Sequence, residues 1–227
     1  MTALYELEEV DLRNPGLTDW LRISASWVWP WFEERGARVL AAWNTVVGPG
    51  VQAVLLYEYP DLGAYERTRV ALAGGRDRPA VLDEADTYVL HRRTRLMAPS
   101  AHRPIGHVAR DGVFTLRTFQ IDPARVDDYH RLTAELVWPH GEEHRLGAFL
   151  GLWNTVCGEG GEVVFISRYD DLAHWERTHP AAGIGGSGEV TEWWEKQRER
   201  NRLIRSTAVS VMQRLPAWPS RDAALAG

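Results

Sequence analysis

Cysteine occurs once in the 227 residues, at Cys157. One thiol excludes an internal disulfide and suits a reducing compartment. Lysine is as scarce: Lys196 stands alone among 26 basic residues, the rest being arginine. No basic run stands out, and the net charge of −5 repels phosphate backbones. Nucleic acid is therefore not an expected partner. No apolar run reaches the ~18 residues of a membrane-spanning helix, so no membrane is expected either. The opening Met1-Thr2-Ala3-Leu4-Tyr5-Glu6 lacks the basic start and apolar stretch of a secretory signal. A cytoplasmic location is the expectation.

What is present is an ordinary globular composition, 44% hydrophobic and 25% charged, enough to bury a sizeable core. Tryptophan is abundant, with 11 residues.

The chain repeats itself. Ala42-Trp43-Asn44-Thr45-Val46-Val47-Gly48 returns as Leu152-Trp153-Asn154-Thr155-Val156-Cys157-Gly158. Tyr59-Pro60-Asp61-Leu62 returns as Tyr169-Asp170-Asp171-Leu172, and Tyr65-Glu66-Arg67-Thr68 as Trp175-Glu176-Arg177-Thr178. Upstream, Trp29-Pro30 matches Trp138-Pro139. Ordered matches at almost one offset indicate a duplicated small domain rather than a solenoid, which needs shorter and more numerous units.

Both halves carry the same element order. Leu4–Val10 and Val113–Ile121 alternate apolar and polar as half-buried strands do. Asn14-Pro15 and Asp122-Pro123 open helices that run to about Glu34 and Glu143. Strands at Val39–Val47 and Val51–Tyr59, and at Phe149–Cys157 and Glu162–Tyr169, flank glycine-rich turns and read as hairpins. A helical region follows Asp61 and Asp171, and a last strand lies near Tyr88–Met97 and Thr207–Arg214. The fold class is therefore α+β: two tandem ferredoxin-like β-α-β-β-α-β repeats. Their antiparallel sheets are expected to pack face to face as an intrachain α+β barrel. The first repeat is placed at 1–99, a linker at 100–112, the second repeat at 113–216 and a tail at 217–227.

The residues that carry this pattern resemble the NIPSNAP family. They are Trp43-Asn44-Thr45 with Gly48, Tyr59 with Asp61-Leu62, and Tyr65-Glu66-Arg67, together with their copies in the second half and Leu96-Met97-Ala98-Pro99-Ser100. The resemblance implies the dimeric α+β barrel superfamily. That superfamily includes cyclases, cofactor-free monooxygenases, isomerases and haem enzymes, and no catalytic motif transfers from it.

Residues shared by both halves read as fold residues; a single site should lie where the halves diverge. Histidine diverges most. His130, His140, His144, His174 and His179 stand where the first half has Leu21, Trp31, Arg35, Ala64 and Arg69. Val126, His130, Thr133, Val137, His140 and His144 form one helical stripe, and Pro139 can kink the helix beside His140. His140 is the expected general acid or base, with His144 its partner. Trp29, Trp31, Tyr129 and Trp138 are the expected walls of an apolar or aromatic substrate site. Trp20, Ile23, Trp27 and Trp31 read as one buried stripe, with Trp29 pointing elsewhere. Cys157 reads as a small buried residue. The order His140-Gly141-Glu142-Glu143-His144 lacks the H-E-x-x-H arrangement, so no metal site is assigned. The loop Gly183-Ile184-Gly185-Gly186-Ser187-Gly188 fits no phosphate-binding pattern and reads as a flexible segment that can cover a cavity.

The expected activity is cofactor-independent acid–base chemistry on a small, largely apolar or aromatic molecule, such as cyclisation or isomerisation in bacterial biosynthesis. The alternatives are a non-catalytic ligand-binding or interaction protein, and a metal- or haem-dependent enzyme. A homodimer is possible beside the intrachain pairing of repeats.

Overall fold

A computed structural model describes residues 3–48, 50–74, 79–103, 105–106, 111–157, 160–178 and 188–215. The chain divides into two compact units, 1–45 with 49–94 and 215–227, and 46–48 with 95–214. Each carries one α+β repeat built on antiparallel strands, as the duplicated sequence requires.

In the first unit, β1 (Leu4–Leu12) pairs with β3 (Gln52–Tyr59), from Leu4 opposite Tyr59 to Asp11 opposite Gln52. On its other edge β3 pairs with β2 (Arg38–Val47), with a bulge between Val39 and Ala41. In the second unit, β5 (Val113–Ile121) repeats this with β7 (Glu162–Tyr169), and β7 with β6 (Ala148–Thr155), whose bulge lies between Phe149 and Gly151. Here β5 also pairs with β8 (Ile204–Arg214). The strand β4 (Val89–Pro99) starts in the first unit; its end, Met97–Pro99, pairs with β6. The strands expected at 113–121 and 162–169 are found at those bounds.

The helix of each repeat that precedes the hairpin ends at Glu34 and Glu143, as expected, but neither runs straight to its end. α1 (Leu17–Ile23) and α2 (Trp29–Glu34) are joined by a π turn at Ser24–Val28. α5 (Val126–Leu132) and α6 (Trp138–Glu143) are joined by another at Thr133–Val137. The cause is the proline. Pro30 and Pro139 have no N–H and would strike the carbonyl four residues back in an α-helix. Widening the preceding turn removes the clash: Trp29 N–H donates to Ser24 O, and Trp138 N–H to Thr133 O. The kink anticipated at Pro139 is thus a widened turn.

That extra residue also rotates the helix face. Trp20, Ile23, Trp29 and Trp31 are all buried, whereas Trp27 is 61% exposed. The stripe read with uniform 3.6-residue spacing therefore misplaces Trp27 and Trp29, because the π turn breaks that spacing. Cys157 is exposed rather than buried. β6 ends at Thr155, and the side chains beyond it leave the ladder.

The second helical region is two helices in each repeat: α3 (Leu62–Leu72) and α4 (Ala80–Asp86), then α7 (Leu172–Arg177) and α8 (Gly188–Asn201). Asp61 and Asp171 cap α3 and α7, accepting from Ala64 N at 2.7 Å and His174 N at 2.6 Å. Residues 183–187 of the glycine-rich loop lie outside the described residues, as do His107, His179 and the segment from Pro216. Among the described residues, no helix is long and apolar enough to cross a membrane.

Between the helices and the sheet of the first repeat, charge is buried in matched pairs. Glu6 is fully buried and pairs with Arg69, whose Nε donates to Glu6 Oε2 at 3.1 Å. Tyr59 also donates to that oxygen, at 3.1 Å. Glu8 pairs with Arg92 at 2.8 Å and accepts from Tyr57 at 3.2 Å. Burial raises the pKa of Glu8, and Arg92 opposes that shift. Removing one partner of such a pair leaves an uncompensated buried charge. Glu6→Met is expected to cost roughly 3 kcal/mol in urea unfolding, and Glu6→Met with Arg69→Met to recover most of it. Equal losses in the single and double variants would show that the pair does not close this layer.

Candidate functional site

The same layer of the second repeat is open. A cavity of about 280 Å³ lies there, lined by Phe119, Phe149, Phe165, Tyr169, Trp175, Trp193 and Trp194, with Arg117, Thr178, Gln197, Arg200, Asn201 and Thr207 as its polar members. Val137 and Ile204 complete the wall. In the first repeat, a cavity lined by Glu8, Trp29, Phe32, Tyr57 and Arg92 measures about 20 Å³, room for one water.

Strand register explains the difference. Glu6 lies opposite Tyr57 in β1–β3; Thr115 lies opposite Ser167 in β5–β7. In the first repeat Tyr57 stacks on Phe32, with ring centroids 5.0 Å apart. Their counterparts by repeat position are Ser167 and Gly141, so two rings are absent from the second repeat. Phe149 takes part of the space: a Cβ on Gly141 would lie 2.7 Å from its Cζ. Phe149 in turn packs on Phe165, at 5.6 Å between centroids. The remaining volume is the cavity.

α8 forms one wall and is tied down through Trp193, whose Nε1 donates to Val137 O at 3.1 Å. It also brings Arg200, 5% exposed, into the cavity wall. Arg200 donates to Gln197 Oε1 at 2.6 Å and to Asn201 Oδ1 at 2.8 Å, and lies over the Tyr129 ring at 5.4 Å. Burial pulls its pKa below the usual arginine range, and the Arg117 guanidinium adds to that shift.

Of the residues singled out in the sequence, Tyr129, Trp138, His140 and His144 belong to the second repeat but do not line this cavity, and Trp29 and Trp31 belong to the first repeat. Trp138 is buried and stacks on two wall residues, Phe149 at 5.7 Å and Phe165 at 5.9 Å. Tyr129 is fully buried, its ring 5.4 Å from Phe119; burial raises its pKa. Trp29 and Trp31 are buried in the first repeat, where Trp29 lines the small cavity and Arg35 covers the Trp31 ring. His140 is 4% exposed, with its Nδ1 3.9 Å from Glu192 of α8. His144 is exposed at the helix end, with its ring 4.3 Å from that of His140. The structure thus brings His140 and His144 together and sets both back from the cavity lining. No group of three potential metal ligands occurs among the described residues.

Arg117, Arg200, Gln197 and the tryptophans of α8 escape a reading centred on histidine. One signal was available for the first of them: aligned by the repeat, Arg117 replaces Glu8, an inversion of charge at a strand position.

His130 has a different consequence. It is buried, and desolvation lowers its pKa from 6.5 to about 4, with His102 contributing and Asp127 opposing. Between those values the unfolded chain binds a proton that the folded chain refuses. Stability should therefore fall by up to about 3 kcal/mol as the pH drops from 6.5 to 4. His130→Leu should flatten that slope in denaturant titrations run across this pH range. An unchanged slope would place the acid sensitivity elsewhere.

The family model of NIPSNAP proteins matches residues 5–104 and 114–216. Among solved structures, a protein provisionally named a monooxygenase from Lactobacillus acidophilus superposes with a TM-score of 0.66 at 11% identity, over 94% of each chain. One from Fusobacterium nucleatum with the same provisional name gives 0.64 at 9% identity, over 94% of this chain and 93% of the other. An anthrone oxidase-like protein gives 0.62 at 11% identity, over 95% and 92%. At these identities the likeness is one of fold, extending through both repeats. No curated protein matches the chain.

Proposed function

The chain belongs to the NIPSNAP family, and on that footing we propose that its second repeat binds a small, largely apolar aromatic molecule. The observation that carries this reading is the inequality of two duplicated halves: about 280 Å³ of aromatic-lined space in one and about 20 Å³ in the other. Duplication starts with equal halves, and the two now differ in packing and room. A dry cavity of about 150 Å³ holds one benzene, so this one suits a bicyclic ring. The name of the anthrone oxidase-like neighbour agrees with an aromatic ligand.

Binding to the folded state raises thermal stability by mass action. Bicyclic aromatic compounds at about 100 times Kd should therefore add about 2.7 kcal/mol, read as a rise in Tm with quenching of tryptophan fluorescence. Thr207→Trp, which puts an indole at an exposed part of the lining, should abolish both responses while leaving the unliganded Tm within a few degrees. The same responses in Thr207→Trp would move the ligand out of this cavity.

A second reading adds cofactor-independent acid–base catalysis on the bound molecule, as in a cyclisation or isomerisation. The pairing of buried His140 with Glu192, on the helix that forms the cavity wall, favours it. An enolisable bicyclic ketone such as 2-tetralone supplies a test that needs no knowledge of the natural substrate. Protein-catalysed exchange of its acidic hydrogens for solvent deuterium should drop about 10²–10⁴-fold in His140→Phe. Exchange at the wild-type rate in that variant would leave binding as the whole function.

A further inference from the structure

The polar groups of the second-repeat cavity are unbalanced in one direction. Among the described residues, the buried Arg200 guanidinium donates to two neutral amide oxygens, on Gln197 and Asn201. Among the described residues, no carboxylate lies within ion-pair distance of it, and none lines the cavity. Arg117 brings a second cation to the same wall. Gln197 is 4% exposed; with its oxygen taken by Arg200, its Nε2 is buried with no hydrogen-bond partner. Trp194 also lines the cavity, and its indole N–H is likewise buried and unpartnered. A buried donor left without an acceptor is costly, and a buried cation without an anion more so.

The first repeat shows the balanced arrangement. Glu8 occupies the strand position of Arg117 and is neutralised by Arg92 within the chain. In the second repeat two cations and two side chains with idle N–H donors line one cavity, and the chain supplies no anion there among the described residues. From this imbalance we infer that the ligand of the cavity is an aromatic carboxylate, its ring held among Phe149, Phe165 and Trp193 and its carboxylate received by Arg200, Gln197 and Arg117. A guanidinium suits a planar carboxylate, and the neutral amides that orient Arg200 leave its charge to be met from outside. This deepens the proposed binding function and rests on it.

Two probes with one ring system separate the two claims: 2-naphthoate, and the neutral 2-naphthalenemethanol. Isothermal titration of the full chain near pH 7.5 should give naphthoate an affinity at least about tenfold above that of the alcohol, the size of one hydrogen bond to a charged group. In Arg200→Gln the preference should shrink to about threefold or less, with the affinity for the alcohol retained. Gln197→Leu should weaken naphthoate alone, by a few fold. Near-UV circular dichroism establishes that each variant is folded; should Arg200→Gln fail this, Arg117→Gln carries the same comparison with the same expected loss of preference. Equal affinity for the two probes in the wild type would overturn the carboxylate assignment and leave the aromatic cavity standing. A preference that survives in the folded arginine variant would overturn it equally. Failure of both probes to bind the wild type would remove the binding function and the assignment together.

Discussion

A charged side chain held between a helix layer and a sheet needs a counter-charge, and the two halves of this duplicated chain meet that need differently. In the first repeat Glu6 and Glu8 are met by Arg69 and Arg92, with Tyr57 and Tyr59 donating to the same carboxylates. Arg69 reaches its glutamate from α3 and Arg92 from β4, and the filled layer leaves room for one water. In the second repeat the strand positions of the two glutamates hold Thr115 and Arg117. The internal neutralisation is gone, and the layer opens. The closed and open halves thus differ in how buried charge is satisfied as well as in the two rings that Ser167 and Gly141 lack.

The open half is rigidly framed. Trp193 clamps α8 to the widened turn through Val137, and Trp138, Phe149 and Phe165 stack in a continuous aromatic block beneath the cavity. Stacked pairs of this kind contribute about 0.5–1.5 kcal/mol each beyond the area they bury. The widened turn itself is demanded by proline chemistry in both halves, so it belongs to the fold rather than to the function. Its effect on the site is indirect: one extra residue in the turn sets which of the neighbouring side chains face inward.

The histidines singled out by the repeat comparison lie close to the cavity without lining it. Their enrichment in the second half marks the half that opens, but His140 and His144 stand outside the cavity lining, next to Glu192 and solvent. Helical spacing places His140 on an inward face; it cannot tell which elements press against that face. Here Phe149 lies against Gly141, the residue after His140. The cations of the wall come from β5 and from α8, two distant elements that no periodicity connects.

The sequence by itself determined the duplication, the element order, most strand bounds and the helix ends, because alternation, capping residues and proline act locally and both copies testify to them. It also marked the second half as the divergent one. Tertiary structure alone decided where the room lies. Whether losing a ring at Ser167 and Gly141 leaves a void depends on how far Phe149 and α8 move in to fill it, and that is a property of packed volume. Tertiary structure likewise decided that Arg200, unremarkable in a helix crowded with charge, is buried with no carboxylate partner among the described residues. Burial and the partner a charge finds are properties of the assembled layers, and the order of residues along the chain does not encode them locally.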